Sequence, residues 1–265
     1  GRAGRGVLDY YAYCNSKTDE GRAKVRACLE HTVKDNPNDS TAWAYLSWIY
    51  GDEYRYAKVK SVNGVPPQQA SMQAAEKSVS IDPKNPRAHQ YLSIAAVLNK
   101  NEDLARQHLK ISVSLNPYDS EILADAGWNY AQIGDWEASK PNAEKAIRYN
   151  PGHARWYYGA LFAYYYEKGN YDEALRYALE YYSPDEFYSS LALAVSYAGT
   201  NRLDDAKSVV KAVEKNHPKF LKDPRKSIES LSFQESFIEK LLIGAEAAGF
   251  NFPEPNSSDP AHPKR

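Results

Sequence analysis

The sequence predicts an all-α solenoid in which helix-turn-helix units stack one on another and a capping helix closes the C-terminal end. Three observations carry this reading. Pro83, Pro117, Pro151, Pro184 and Pro218 follow one another at intervals of 34, 34, 33 and 34 residues, and a fixed period of this size marks repeated supersecondary units. Between the prolines, apolar residues recur at helical rather than strand spacing. Beyond Asp223 the period gives way to a single amphipathic stripe.

The elements follow in order. Most of the prolines close a similar phrase, VKDNP at Pro37 and then VSIDP, VSLNP and IRYNP. Proline cannot continue the hydrogen-bond ladder and biases the residue before it away from helical dihedrals, so each phrase ends a helix and opens a turn. The first helix of each unit repeats one pattern: Trp43, Leu46, Ser47 and Tyr50 recur as His89, Leu92, Ser93 and Ala96, then as Leu123, Ala126, Gly127 and Tyr130, then as Ser190, Leu193, Ala194 and Tyr197. The small residue in each phrase (Ser47, Ser93, Gly127, Ala194) lets a second helix approach closely. That second helix begins with a turn former, a large apolar residue and an acid, as in GDWEASKPNAEKAI, GNYDEALRYAL and NRLDDAKSVVKAV, the acid being suited to the first helical turn.

Irregularities are also legible. The second unit runs 46 residues from Pro37 to Pro83, and the excess falls within 51–69, where Asn63-Gly64 and Pro66-Pro67 predict a mobile loop outside the stack. Pro141 lies inside a second helix and is expected to kink it. The fifth unit has a shifted turn and a shortened second helix. In the cap, Phe233, Phe237, Leu241 and Ala245 recur every four residues with Ile238 and Leu242 beside them, one apolar stripe of the kind a terminal repeat needs to cover its exposed face. The expected division is a leader over 1–6, about six hairpins over 7–218, a capping segment over 219–250 and a polar, proline-rich, disordered tail over 251–265. The chain opens without methionine on GRAGRGVLDYY, as an excised domain or a processed product would.

Composition argues against several function classes. Thirty-three basic and thirty-four acidic residues give a net charge of −1, so no global field favours nucleic acid. No apolar run approaches the length of a membrane span, and the expected compartment is the cytoplasm, with the periplasm as the alternative. Cys14 and Cys28 are too few for a disulfide scaffold and read as reduced thiols, a bridge being the alternative in an oxidising compartment. The histidines are scattered; only His31 has a cysteine, Cys28, at ligand spacing, and no fourth ligand accompanies them. Gly1, Gly4 and Gly6 precede no strand, there is no nucleophile elbow, and the carboxylates sit mostly in helix starts such as Asp172-Glu173. No catalytic residue, metal site or cofactor is expected. The basic group Lys219, Lys222, Arg225 and Lys226 reads as a solvated linker rather than an anion site.

The repeat phrases resemble the tetratricopeptide repeat family, whose unit is a 34-residue helix-turn-helix. The resemblance extends from about Ser40 to Pro218, with a weaker first repeat ending at Pro37, and implies a right-handed superhelix that acts as a non-enzymatic protein-interaction module. Two further phrases, DEYRY at Asp52–Tyr56 and IEKLLIGAEAAGF at Ile238–Phe250, resemble the C-terminal repeat region of bacterial multidomain signalling proteins, in which a class III nucleotide cyclase or a winged-helix regulator precedes the repeats. No such segment is present in this sequence.

The family resemblance also sorts the tyrosines, ten of which fall between Tyr157 and Tyr188. With Tyr157 in the register of Trp43, Tyr157 and Tyr164 lie on the packing face and Tyr171 fills the place held by Trp136. In the family the concave surface is lined by residues one, five, eight and nine beyond the first packing position. Those offsets select Tyr158, Phe162, Tyr165 and Tyr166, then Ala124, Trp128, Ala131 and Gln132, and Trp48 in the second unit. Arg87 and Arg155 add cations at the groove edge, and Asp52, Glu53 and Asp125 add acid. The expected partner is a peptide or helix with apolar anchors, since tyrosine and tryptophan present a large apolar body with a polar tip. A carboxylate clamp is disfavoured, because Ala44, Trp48, Ile94, Ala124, Trp128 and Phe162 stand where lysine and asparagine are needed. The alternatives are a small-ligand sensor with an aromatic pocket, a free-standing scaffold, and an inner wall merely filled by the rings.

Overall fold

The computed structural model describes residues 18–57 and 59–251. The predicted leader, the tail beyond residue 251 and Cys14 lie outside them. Two compact units divide at His153 and Ala154.

Among the described residues the N-terminal unit shows α1 (Asp19–Asp35), followed by three hairpins: α2 (Ser40–Asp52) with α3 (Pro67–Ile81), α4 (Pro86–Leu98) with α5 (Glu102–Leu115), and α6 (Ser120–Gln132) with α7 (Trp136–Tyr149). The first helices α2, α4 and α6 are successive neighbours. Helix starts are set by polar residues at the turns: Asp39, Asn85 and Asp119, two residues beyond a phrase-closing proline, and Asp135, after Gly134, each accept a backbone N–H from the first turn of the helix that follows, satisfying donors that the helix itself leaves orphaned. The predicted small residues are buried at hairpin crossings. Ser47 Oγ lies 3.2 Å from Ser71 Oγ, and a Cβ on Gly127 would come within 3.0 Å of the Ala143 backbone nitrogen. Helix α7 runs through Pro141 from Trp136 to Tyr149.

The insertion differs from its sequence expectation. Helix α2 continues as a π-turn over Glu53–Ala57, and the Asn63-Gly64 turn folds back beside α1, α2 and α3 rather than standing outside the stack. Val62 is fully buried and exchanges two backbone hydrogen bonds with Val65. Asn63 Nδ2 donates to Tyr50 Oη at 3.2 Å. The turn chemistry was legible, but the two valines that anchor it read as ordinary loop residues. This is an isolated bridge, and no strand forms among the described residues.

The C-terminal unit opens with a 3-10 turn (Arg155–Tyr158) and continues with α8 (Gly159–Glu167) and α9 (Tyr171–Tyr181), then α10 (Phe187–Gly199) and α11 (Leu203–Asn216), then α12 (Pro224–Glu229) and α13 (Glu235–Ala248). Helix α9 has eleven residues against fourteen in α11, the shortening that the sequence predicts. In four hairpins the turn residue has a left-handed φ, at Lys100, Gly134, Gly169 and Asn201. Glycine adopts that conformation freely, yet the repeat geometry imposes it on a lysine and an asparagine as well.

Helix α13 packs mainly on α10, with α11 and α12 beside it. Its stripe is buried as expected, with Phe237, Ile238, Leu241, Leu242 and Ala245 all inside. It also reaches α8, where Lys240 Nζ donates to the Glu167 carbonyl at 2.7 Å and pairs with its carboxylate at 2.9 Å. Arg225 is neutralised by Glu239 at 2.7 Å and Glu229 at 3.4 Å, so the predicted basic linker is internally paired at that residue.

Candidate interaction surface

The groove residues selected from the sequence fall in both units. In the C-terminal unit, Phe162 and Tyr166 are buried. The Tyr166 ring is surrounded by Phe162, Tyr171 and Phe237, with centroids at 5.6, 5.2 and 6.3 Å. Burial pushes its phenol pKa well above the usual value. Tyr165 and Tyr158 are half-buried. Tyr165 stacks on Tyr177 of α9 at 5.5 Å with ring planes 11° apart, Tyr158 lies 6.2 Å from the same ring, and the Arg176 guanidinium sits 4.0 Å from its centroid. These rings pair across a hairpin, an arrangement that aromatic quadrupoles and a cation over a ring face both favour. Arg155 is exposed and donates to the Glu180 carbonyl at 3.2 Å.

In the N-terminal unit, Trp48 on α2 and Trp128 on α6 are half-buried and Gln132 is buried. Arg87, on α4, pairs with Asp119 at 2.9 Å and Glu121 at 3.4 Å and donates to Gln90 Oε1 at 2.7 Å. Gln90 Nε2 donates in turn to Asp125 Oδ2 on α6. Arg55, in the π-turn, pairs with Asp52 at 2.9 Å. Hydrogen bonds and ion pairs therefore join α4 to α6, and the Asp52–Arg55 pair at the end of α2 lies within electrostatic reach of Asp125. Burial raises the Asp125 carboxyl to about 7, Glu121 adding to the shift, while Gln90, Arg87 and Arg55 oppose it.

Arg55 and Gln90 were not among the sequence-selected residues. Gln90 stands one position beyond His89, so the family offset applied to the third unit points to it. Arg55 lies in the insertion, where no repeat register applies. Among the described residues, no three or more His, Cys, Asp or Glu side chains are grouped to hold a metal ion, and no helix is long and apolar enough to cross a membrane.

Residues 124–189 and 160–219 match the family model of the tetratricopeptide repeat. A search of curated proteins found no match. Among solved structures, the fold is similar to PilW, a widely conserved type IV pilus biogenesis factor, at TM-score 0.58 and 13% identity over 82% of this chain and 94% of that one. It is similar to TTC0263, a tetratricopeptide repeat protein of Thermus thermophilus, at 0.57 and 17% identity over 74% and 98%. It is also similar to the Cut9–Hcn1 assembly of the APC/C, at 0.62 and 11% identity over 86% of this chain and 44% of that one. At such identities the likeness is one of fold, and it extends the repeat architecture beyond the stretch that the family model matches. Over residues 124–219 the chain is similar to tetratricopeptide repeats.

Proposed function

We propose that the chain is a non-enzymatic protein-interaction module whose binding surface is the α2–α4–α6 face of the N-terminal unit, taking a segment of a partner protein against Trp48 and Trp128. The observation that carries this is the mixture on that face: two half-buried indoles beside a network of arginines, carboxylates and an amide. Partly exposed aromatics next to polar groups are what protein recognition sites are made of. Tyr166 packs beneath α13 with Phe162 beside it, while Tyr158, Tyr165, Arg155 and the paired Tyr177 and Arg176 form a secondary contact area in the C-terminal unit. The phrases at Asp52–Tyr56 and Ile238–Phe250 support a place in a bacterial signalling chain, and the likeness to the pilus biogenesis factor supports assembly as the wider context.

The test is selection of a random linear-peptide display library on the whole chain, with counter-selection on a Trp48→Ala/Trp128→Ala variant of unchanged helical content. Binders that depend on both tryptophans are expected. Binders that ignore the double substitution, or a double variant that unfolds, would assign the indoles to packing instead.

A second reading rests on one further observation. A cavity of about 500 Å³ lies between α1, α2, α3 and the inserted turn, lined by Glu30, Trp43, Tyr50, Asn63 and Lys77 among others. It supports a small-ligand sensor, for which a rise in melting midpoint with metabolite mixtures is the check.

A further inference from the structure

The α2–α4–α6 face has an electrostatic imbalance. Its two arginines, Arg55 and Arg87, are each taken by carboxylates: Arg55 by Asp52, Arg87 by Asp119 and Glu121. Asp125 is a fourth acid, and its side chain has Gln90, a neutral amide, as its hydrogen-bond partner and no ion pair among the described residues. It is only half-buried, so its second oxygen, Oδ1, stays reachable from solvent. Trp128 is three residues along α6 from Asp125, one turn away on the same side. On α2, Trp48 stands four residues from Asp52, again on one side.

We infer that Asp125 is the counter-ion for a lysine or arginine side chain of the partner segment, whose apolar neighbours pack on Trp48 and Trp128. This rests on the interaction surface proposed above and adds the chemistry of its ligand. A partly buried carboxylate whose neighbouring arginines are engaged by other acids is costly to keep ionised, and a cation delivered by the partner removes that cost. Long basic side chains also carry an aliphatic stem that covers an indole while the charge reaches further.

The groups facing Asp125 are Glu121 on its own helix, Arg87, Gln90 and Tyr91 on α4, and Arg55 after α2. Glu121 is itself engaged by Arg87. The acid that changes charge around neutrality is therefore Asp125, raised to about 7. An incoming cation requires its ionised form, so binding expels the proton, and affinity falls as pH drops below that value.

Sequences recovered from the display selection are expected to be enriched in lysine or arginine. For one such peptide titrated against the full chain, Asp125→Asn is expected to weaken binding by about tenfold or more, as is replacing the peptide's basic residue by norleucine or citrulline. The two changes together should do no more than either alone, and the loss of affinity on acidification should vanish in Asp125→Asn. Because the peptide substitution leaves the protein untouched, an ill-folded variant does not obscure the result. Tryptophan-dependent peptides that are acidic or wholly apolar would overturn the role of Asp125 and leave the interaction surface standing. So would a basic peptide indifferent to Asp125→Asn. A selection that yields no tryptophan-dependent binder would overturn both.

Discussion

Gly244 offers a stringent test of how α13 is seated. It lies in the interior of that helix, where replacing glycine by alanine ordinarily stabilises by about 1 kcal/mol. Here a Cβ would fall 2.0 Å from the Tyr166 hydroxyl oxygen and 3.2 Å from Val195 Cβ. Comfortable contact begins near 3.5 Å, so helix or ring must retreat by roughly 1.5 Å. The ring cannot swing freely, since Phe162, Tyr171 and Phe237 surround it and it is 3% exposed. Overpacking of this kind costs about 1–3 kcal/mol, so Gly244→Ala is expected to be neutral to destabilising by up to about 2 kcal/mol rather than stabilising. Tyr166→Phe removes the offending oxygen, and the next contact, at the ring's ζ carbon, stands at 3.2 Å. In that background the same alanine should recover most of its helix preference, giving a coupling of about 1–3 kcal/mol between the sites. Thermal unfolding of the four proteins by circular dichroism reads this directly, at roughly 2–4 °C per kcal/mol for a chain of this size. Gly244→Ala that stabilises while Tyr166 is present, or an equal loss in both backgrounds, would refute the seating of α13 on α8.

Two further outcomes are expected. Truncation after Lys222 removes Phe237, Ile238, Leu241 and Leu242, all buried and each worth about 1.5–3 kcal/mol before entropy; the melting midpoint should fall and light scattering rise, and a truncated chain that melts like the full one would show that α13 is not a cap. His89 and His108 meet Nδ1 to Nδ1 at 2.7 Å, with His89 Nε2 donating to the Pro83 carbonyl at 2.9 Å, so His89 Nδ1 accepts and His108 Nδ1–H donates. Burial, with His89 adding to it, lowers the His108 pKa; the unfolded chain therefore takes up this proton first, and stability should decline as pH falls through ~6.5. The melting midpoint of a His108→Leu variant should depend less steeply on pH over that range, and equal slopes would count against the pairing.

Much of this was legible because repeat folds write their geometry locally. The proline phrases placed the helix ends, and the small residues at Ser47, Ser93, Gly127 and Ala194 marked where helices cross. Each of these is a constraint within one hairpin, so thirty-odd residues suffice to express it. The cap's stripe was equally readable from its four-residue spacing. The candidate surface was less so. Register placed Trp48, Trp128, Phe162 and Tyr166 on comparable helix positions, but exposure depends on what lies opposite. Phe237 and Gly244 of α13 lie against Tyr166, and no sequence offset announces that contact. Likewise Asp125 was one of three acids placed at the groove, with nothing to set it apart from Asp52 and Glu53. Its raised pKa follows from which side chains three separate helices bring near it, with Asp52, Asp119 and Glu121 engaging the available arginines. Local periodicity specifies each hairpin by itself, whereas the partners of a charge or a ring are chosen by packing between elements distant in the chain, and only the tertiary structure decides that.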